Sequence, residues 1–240
     1  PGRMSSPACS AVNLAESDMD HFEYRDGQLR CEGVAVNRIA EEVGSPVYVY
    51  STATLLHHYR QLADAFAPVN ATICFAVKTN GNLHVCRLLA DAGAGFDVVS
   101  GGEIYRAIEA GGDPARIVFA GVGKTDREIR EAIDAGVGLF NVESEPELAN
   151  IDRHACEMGR PVSGALRVNP DVDPKTHVYI STGKKESKFG VDIERAKAVF
   201  REFASKQSSN DESGLHLRGI HIHIGSQITT VQPYVDALGK

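Results

Sequence analysis

The sequence has few of the features that mark secreted, membrane-spanning or nucleic-acid-binding proteins. Its five cysteines are odd in number and scattered, and no CxxC pair occurs, which argues against a disulfide scaffold and a zinc site. No apolar run approaches the ~20 residues that span a bilayer, and no stretch shows the pattern of a secretory signal. A net charge of -7 argues against a nucleic-acid surface. We therefore predict a cytoplasmic protein with reduced thiols that binds neither membranes nor nucleic acids.

What is present is the composition of an ordinary globular protein, 42% hydrophobic and 24% charged over 240 residues. Residues 1–19 are mostly small or polar and predict a disordered lead-in. Residues 20–50 predict a hairpin around Asp26-Gly27, a short helix at Ile39–Val43 and a β-rich run at Pro46–Tyr50. We expect this portion to belong partly to a C-terminal β domain whose remainder is missing from the sequence.

Residues 51–240 alternate between short apolar runs and segments whose apolar residues are spaced three and four apart. The runs predict strands at Ile73–Val77, Gly95–Val99, Ile117–Ala120, Val137–Val142, Ala165–Val168 and Gly219–Ile224. The other segments predict helices at Leu83–Ala92, Gly102–Ala110, Thr125–Ala135, Glu145–Met158 and Ile193–Phe203. This rhythm predicts an α/β fold of parallel strands joined by right-handed crossovers. A closed (β/α)₈ barrel needs eight strands, so we expect an incomplete TIM-like barrel and a chain that is a fragment of a longer protein.

The stretch Phe75-Ala-Val-Lys-Thr-Asn80 places a lysine at the end of a predicted buried strand. In α/β barrels the carboxyl ends of the strands carry the chemistry. A partly desolvated lysine there has a lowered pKa, and its amine can form a Schiff base. The alternative is that Lys78 only extends from the strand end into solvent.

A second concentrated signal is Gly219-Ile-His-Ile-His-Ile-Gly-Ser-Gln227, in which histidine alternates with isoleucine. The alternation predicts that His221 and His223 share one face of a strand. Two hydrogen-bonded core histidines are one explanation of the pattern, and a metal site is another. No acidic or cysteine ligand is placed beside them, which disfavours a metal.

With Lys78, this pattern resembles the fold-type III family of amino-acid decarboxylases that use pyridoxal 5'-phosphate (PLP), which are alanine-racemase-like and ornithine-decarboxylase-like barrels with a C-terminal β domain. The motifs that carry the resemblance are AVKTN at 76–80, GFDVVSGGEI at 95–104, LRVNPDVD at 166–173, HVYISTG at 177–183, SKFGV at 187–191 and HIHIGSQI at 221–228. Each is weak alone, but the six occur in order at predicted strand ends or adjoining loops. The middle segment, together with HIGSQI, is similar to the diaminopimelate decarboxylase branch of that family.

The resemblance implies PLP as the cofactor and assigns roles to single residues. Lys78 matches the lysine that binds PLP as a Schiff base, and His223 matches the histidine that stacks on the pyridine ring. Ser226 matches the serine that helps to hold the phosphate, where its hydroxyl and nearby backbone N–H groups, with Gly225 beside it, can bind phosphate oxygens. Lys78 and His223 are therefore the expected catalytic residues.

Three further residues are expected in the cofactor site by the same resemblance. Asp97 matches an aspartate close to the lysine amine, although it could instead cap the following loop. Glu103 and Arg167 match polar residues that line the site. Glu103 opens a predicted helix, where any carboxylate is favoured, and a buried Arg167 would need a partner. The glycine-rich stretch before Thr125 is too short for a P-loop, and Thr125 itself is expected to be a helix N-cap.

The resemblance implies decarboxylation of meso-2,6-diaminopimelate to L-lysine in lysine biosynthesis by a full-length homodimer. The family's glycine-rich phosphate loop, the glutamate facing the ring nitrogen and the reactive cysteine belong to later parts of the fold. We therefore expect the 240-residue polypeptide alone to be inactive and poorly folded. Another fold-type III decarboxylase or a racemase for a basic amino acid, a non-catalytic PLP-binding homologue, and a phosphate-binding barrel without PLP remain alternatives.

Overall fold

A computed structural model describes residues 20–172, 189–208 and 213–240 of the protein. The chain divides into two compact units, Pro1–Ala71 and Thr72–Lys240. The predicted lead-in, the motif at 177–183, Asp173 and the first two residues of the motif at 187–191 lie outside the described residues. Among the described residues no helix is both long and apolar enough to cross a membrane.

The first unit contains a three-stranded antiparallel sheet and two helices. The strands are β1 (Phe22–Arg25), β2 (Gln28–Cys31) and β3 (Val34–Ala35), and the helices are α1 (Val36–Val43) and α2 (Thr52–Phe66). Asp26 and Gly27 have φ values of 52° and 74°, the left-handed pair that a tight hairpin turn requires, so the predicted hairpin is confirmed. The predicted β-rich run at Pro46–Tyr50 is wrong. It forms no described strand, and Tyr48 at its centre is 88% exposed.

The second unit is built on a parallel sheet with helices between its strands. The strands of its main path are β4 (Cys74–Ala76), β5 (Gly95–Val98), β6 (Ile117–Phe119), β7 (Leu139–Val142), β8 (Val162–Asn169) and β10 (Leu215–His221). They pair in the order β4-β5-β6-β7-β8-β10, all parallel, and the short β9 (Val191–Asp192) pairs with β8. The predicted parallel α/β arrangement with six main strands is confirmed.

The helices of this unit begin and end largely where the sequence predicts. They are α3 (Leu83–Asp91), α4 (Gly101–Glu109), α5 (Asp126–Ala135), α6 (Glu145–Met158), α7 (Ile193–Ser208) and α8 (Gln232–Leu238). Thr125 is the N-cap of α5 and forms a capping box with Glu128, which confirms the predicted cap. Gly136 and Gly159 end α5 and α6 in the left-handed conformation that glycine adopts without strain.

The core lies between the sheet and these helices. Phe96, Phe119, Phe140 and Leu166 on the central strands are fully buried, so burial on both faces explains why these strands are apolar runs rather than alternating ones. Close packing extends to the backbone at the start of β7. A Cβ on Gly138 would lie 2.0 Å from the carbonyl oxygen of Ala115, so only glycine fits there.

The predicted strand Gly219–Ile224 is partly wrong. The strand β10 ends at His221, and His223 lies beyond it in irregular backbone. Alternation along a strand therefore does not explain why the two histidines lie together. Both line the same cavity, His221 from the last residue of β10 and His223 from the segment that follows it.

Candidate active site

A cavity of about 460 Å³ lies at the carboxyl ends of the parallel strands. Each of the six main strands contributes to it, either from its last residues or from the loop that follows. The residues that line it are Lys78, Asp97, Val99, Ala120, Gly121, Val122, Glu143, Arg167, Phe189, His221, His223 and Ser226. A second cavity, of about 410 Å³, is mainly apolar and lies beside α7 and α8. Only the first combines an amine, imidazoles, carboxylates and a hydroxyl, so it is the candidate active site.

Lys78 lies in a single 3₁₀ turn, Val77–Thr79, that directly follows β4. The Thr79 hydroxyl donates to the carbonyl of Ala76 at 2.7 Å, which closes this turn. Lys78 is exposed, so the expected partial desolvation is not observed in the described residues. The reason is that β4 ends two residues earlier, and the turn places the lysine at the rim of the cavity rather than in the sheet.

Asp97 lies on β5 and is paired in register with Ala76, next to the turn that carries Lys78. Burial raises the pKa of the Asp97 carboxyl, while the charge of Lys78 opposes this rise and Glu103 adds to it. An acidic group that is half desolvated beside an amine is well placed to hold that amine in its protonated form.

Arg167 and Glu143 form a buried ion pair in the wall of the cavity. Nη1 of Arg167 donates to both carboxylate oxygens of Glu143, at 3.0 and 2.9 Å, and the two side chains are only 7% and 2% exposed. The Phe189 ring lies 4.9 Å from the guanidinium carbon, a cation–π contact. Glu143 is thus the partner that the sequence analysis expected for a buried Arg167.

The two histidines of the cavity are held in their neutral form. Burial first, and then the charges of Arg167, His223 and Lys124, lower the pKa of His221 from 6.5 to about 4. Burial also lowers the pKa of His223, followed by the charges of Arg167 and Lys78. Neutral imidazoles are flat, weakly hydrated surfaces that suit contact with an aromatic ring.

The cavity therefore brings together Lys78, Asp97, Arg167, His223 and Ser226 from the predicted set. The other two predicted residues, Glu103 and Gly225, are not among the residues that line it. The Glu103 carboxylate accepts a hydrogen bond from the backbone of Val99 at 2.7 Å, so it shapes the loop behind a lining residue.

Sequence reasoning missed Glu143 and Lys124. Glu143 follows the last residue of β7, and its position at a strand end could have indicated it by the rule that identified Lys78. Lys124 is fully buried, and its Nζ donates to Gly121, Asn141 and Glu147. No local pattern distinguishes such a lysine from a solvated one, because two of its three partners, Asn141 and Glu147, lie on the next strand and helix.

Comparison with known proteins defines the class of this domain. The family described as "Pyridoxal-dependent decarboxylase, pyridoxal binding domain" matches residues 52–240. The chain therefore belongs to the family of pyridoxal-binding domains of pyridoxal-dependent decarboxylases, and the predicted fold and cofactor are confirmed.

Similar proteins within this family include diaminopimelate decarboxylases. That of Pseudomonas aeruginosa is 52% identical over 222 residues, which are 92% of this chain and 52% of the relative. That of Aquifex aeolicus is 48% identical over 95% of this chain and 53% of the relative. The crystal structure of the M. jannaschii enzyme in complex with L-lysine is 39% identical, has a TM-score of 0.79 and covers 91% of this chain and 51% of that chain. The chain thus spans about half the length of the curated relatives it matches.

The side chains of the cavity fit PLP. The cofactor requires an amine nucleophile, donors for a phosphate and a surface that fixes the plane of its ring. Lys78, Ser226 and His223 supply these three kinds of group. Two buried polar atoms, Nε of Arg167 and Nδ1 of His221, have no hydrogen-bond partner among the described residues. A buried polar atom without a hydrogen bond destabilises the fold. A polar ligand in this cavity could form hydrogen bonds with these two atoms.

Proposed function

We propose that the full-length protein that carries this chain is a PLP-dependent carboxy-lyase that converts meso-2,6-diaminopimelate to L-lysine and CO₂ in lysine biosynthesis. The observation that carries the proposal is the cavity itself, because a lysine and a histidine from distant parts of the sequence meet there at the ends of parallel strands. The relatives named diaminopimelate decarboxylase, at up to 52% identity, support the choice of substrate.

The residues of the cavity divide the work of holding the cofactor. Lys78 would hold PLP covalently through its amine, and Asp97 beside it would stabilise the protonated form of that amine. The His223 ring would fix the plane of the pyridine, while Ser226, with Gly225 beside it, would bind the phosphate. Arg167 and the nearby Glu103 would complete the polar surroundings. The bound cofactor would supply the electron sink for the pair that the loss of CO₂ leaves on the α-carbon.

Two cations and two carboxylates line the cavity, namely Lys78, Arg167, Asp97 and Glu143. Glu143 compensates Arg167 so that the guanidinium can remain buried. Because the pKa values of His221 and His223 are lowered, neither imidazole carries charge near neutral pH. The positive charge available to a phosphate or carboxylate in the cavity therefore comes from Lys78 and Arg167 rather than from the imidazoles.

The same proposal places the full-length protein in the cytoplasm as a homodimer. Four cysteines, Cys31, Cys74, Cys86 and Cys156, are free thiols, which fits a reducing compartment. The family resemblance supports the dimer, because it implies that site residues are given across a subunit interface. Sedimentation of the purified full-length protein tests the assembly, and a monomer at all concentrations would contradict it.

The substrate is tested by measuring CO₂ release from a panel of amino acids by the full-length protein loaded with PLP. We expect meso-2,6-diaminopimelate to be consumed with L-lysine as the product, and kcat/KM for ornithine, arginine and lysine to be far lower. Preference for one of those three would make the protein a different decarboxylase of basic amino acids. A binding signal for PLP without CO₂ release from any of them would identify a non-catalytic homologue.

A further inference from the structure

Lys124 is a buried lysine that does not line the cavity but uses all of its hydrogen-bond donors. Its side chain is 0% exposed. Its Nζ donates to the carbonyl of Gly121 at 2.7 Å, to the carbonyl of Asn141 at 2.8 Å and to the carboxylate of Glu147 at 2.6 Å. An ammonium group has three N–H donors, so every donor of Lys124 is used.

These three acceptors lie on different parts of the fold. Gly121 lines the cavity in the loop after β6, Asn141 lies on β7, and Glu147 lies in the first turn of α6. Gly121 has a φ of +98°, and a Cβ on it would lie 3.3 Å from the Cβ of Val99, another lining residue. The ammonium of Lys124 therefore joins one wall of the cavity to the strand and helix that follow it.

The connection reaches the opposite wall through the backbone of β7. Asn141, whose carbonyl accepts from Lys124, lies on this strand two positions before Glu143. The Glu143 carboxylate accepts from Arg167 at 2.9 and 3.0 Å. Lys124 is therefore joined to Gly121 by one hydrogen bond and to the Glu143–Arg167 pair through Asn141, and both ends of this connection line the cavity.

We propose that Lys124 is a positioning residue of the cofactor cavity, which fixes the wall at Gly121 and Val122 relative to the Glu143–Arg167 pair on the other side. This inference rests on the proposed PLP site. Lys124 does not line the cavity itself, so it acts through the carbonyl groups of Gly121 and Asn141.

A purely stabilising role is the competing explanation, and the energetics of buried ion pairs argue against it. Removing two charges from water costs about as much as their attraction returns, and well-packed apolar residues often replace such pairs without loss of stability. What apolar residues cannot supply is a fixed direction for two carbonyl groups and one carboxylate. Lys124 also acts on the site at a distance, because its charge helps to lower the pKa of His221.

The test compares Lys124→Met with the double variant Lys124→Met/Glu147→Gln in the full-length protein. The single variant leaves the Glu147 carboxylate buried without its partner, so it loses stability. The double variant also removes that buried charge, so it recovers stability. We expect both variants to bind PLP about tenfold more weakly than the wild type, the size of coupling within one hydrogen-bonded network.

A second readout separates positioning from stability. Histidine NMR signals report the titration of His221, and we expect its midpoint to rise in Lys124→Met because one repelling charge is gone. The rise should be smaller in the double variant, which also removes the negative charge of Glu147. The matched control is Lys197→Met, which removes an exposed lysine from an ion pair with Glu194 at 2.6 Å. It should leave both the PLP affinity and the His221 titration unchanged.

The possible results are distinct. Wild-type PLP affinity in the stable double variant would overturn the positioning role of Lys124, and an unchanged His221 midpoint in Lys124→Met would overturn its electrostatic action on His221. If the single variant does not fold, the double variant alone decides. Absence of lysine-bound PLP in the wild type would instead contradict the proposed function, and this measurement is made first.

Discussion

Lys78 and His223 follow the two strands at opposite ends of the strand order, β4 and β10, yet they line the same cavity. The sheet between them must therefore curve until its two ends face a common space, as the twist of parallel sheets allows. After burial and the charge of Arg167, the charge of Lys78 also lowers the pKa of His223. A fragment must therefore include every strand from β4 to β10 to contain both Lys78 and His223.

Replacing Lys78 tests the covalent role proposed for it. We expect both Lys78→Ala and Lys78→Arg to abolish the visible absorbance of lysine-bound PLP in the full-length protein, because neither side chain can form a Schiff base. Reduction with borohydride followed by peptide mass spectrometry should place the pyridoxyl group on the peptide that contains Lys78. Lys197→Met is the control and should retain the absorbance. A pyridoxyl group on another lysine would refute the assignment.

Replacing Glu143 tests the buried ion pair. Glu143→Gln leaves the Arg167 guanidinium buried without its counter-charge, and we expect it to lower the free energy of unfolding by about 3 kcal/mol. The matched control is Glu194→Gln, since Glu194 and its partner Lys197 are 81% and 52% exposed. An exposed pair of this kind contributes about 0.5 kcal/mol or less. Urea denaturation measures both changes, and equal losses for the two variants would disprove the distinction.

Acidification should destabilise the protein through His221. Its pKa is lowered from 6.5 to about 4 in the folded state, so below pH ~6.5 the unfolded chain takes up a proton that the folded chain does not. The stabilisation from His221 is complete above that pH and is lost as the pH falls toward 4. Between pH 7 and 5 we expect a loss of up to about 2 kcal/mol from this residue.

His221→Asn isolates that contribution in urea denaturation at pH 7 and pH 5. The variant should lose less free energy of unfolding on acidification than the wild type, whereas the exposed His84→Asn should behave like the wild type. Asp97 acts in the opposite sense, because burial raises its pKa and its stabilisation is lost as the pH rises. The comparison of variants removes this opposing effect, and identical slopes for His221→Asn and the wild type would exclude the prediction.

A pair of glycines tests the close packing at the start of β7. Gly138→Ala would bring its new Cβ to 2.0 Å from the carbonyl oxygen of Ala115, while Gly123→Ala would meet nothing within 4 Å. Overpacking against backbone cannot be relieved by rotating a side chain, so we expect Gly138→Ala to cost about 3 kcal/mol. Gly123→Ala should change the free energy of unfolding little. Equal melting temperatures for the two variants would contradict the prediction and show that the backbone at Gly138 can move to make room for a Cβ.

The sequence predicted the architecture well where local signals and the fold agree. Strand runs such as the one at Phe96 are buried on both faces, so their apolar character depends little on the neighbours that bury them. The N-cap at Thr125 is equally local, since the cap and its Glu128 partner are three residues apart. By contrast, the run at Pro46–Tyr50 has strand-forming residues but no described strand to pair with, and propensity alone could not reveal this.

The site was predicted in part for the same reason. Lys78 and His223 lie in recognisable motifs at strand ends, and the cavity joins them. The ion pairs Glu143–Arg167 and Lys124–Glu147 join residues more than twenty positions apart. Which carboxylate meets which cation depends on the register of neighbouring strands and helices, a property that a single sequence does not display.

The pairing of each main strand with the strand made just before it has a consequence for how the protein matures. As the polypeptide leaves the ribosome, β4 and the turn that carries Lys78 emerge well before β10 and His223. The two residues that we propose to hold PLP are thus made at different times. The proposed site is assembled only once β10 has paired with β8, so binding of the coenzyme would follow that step.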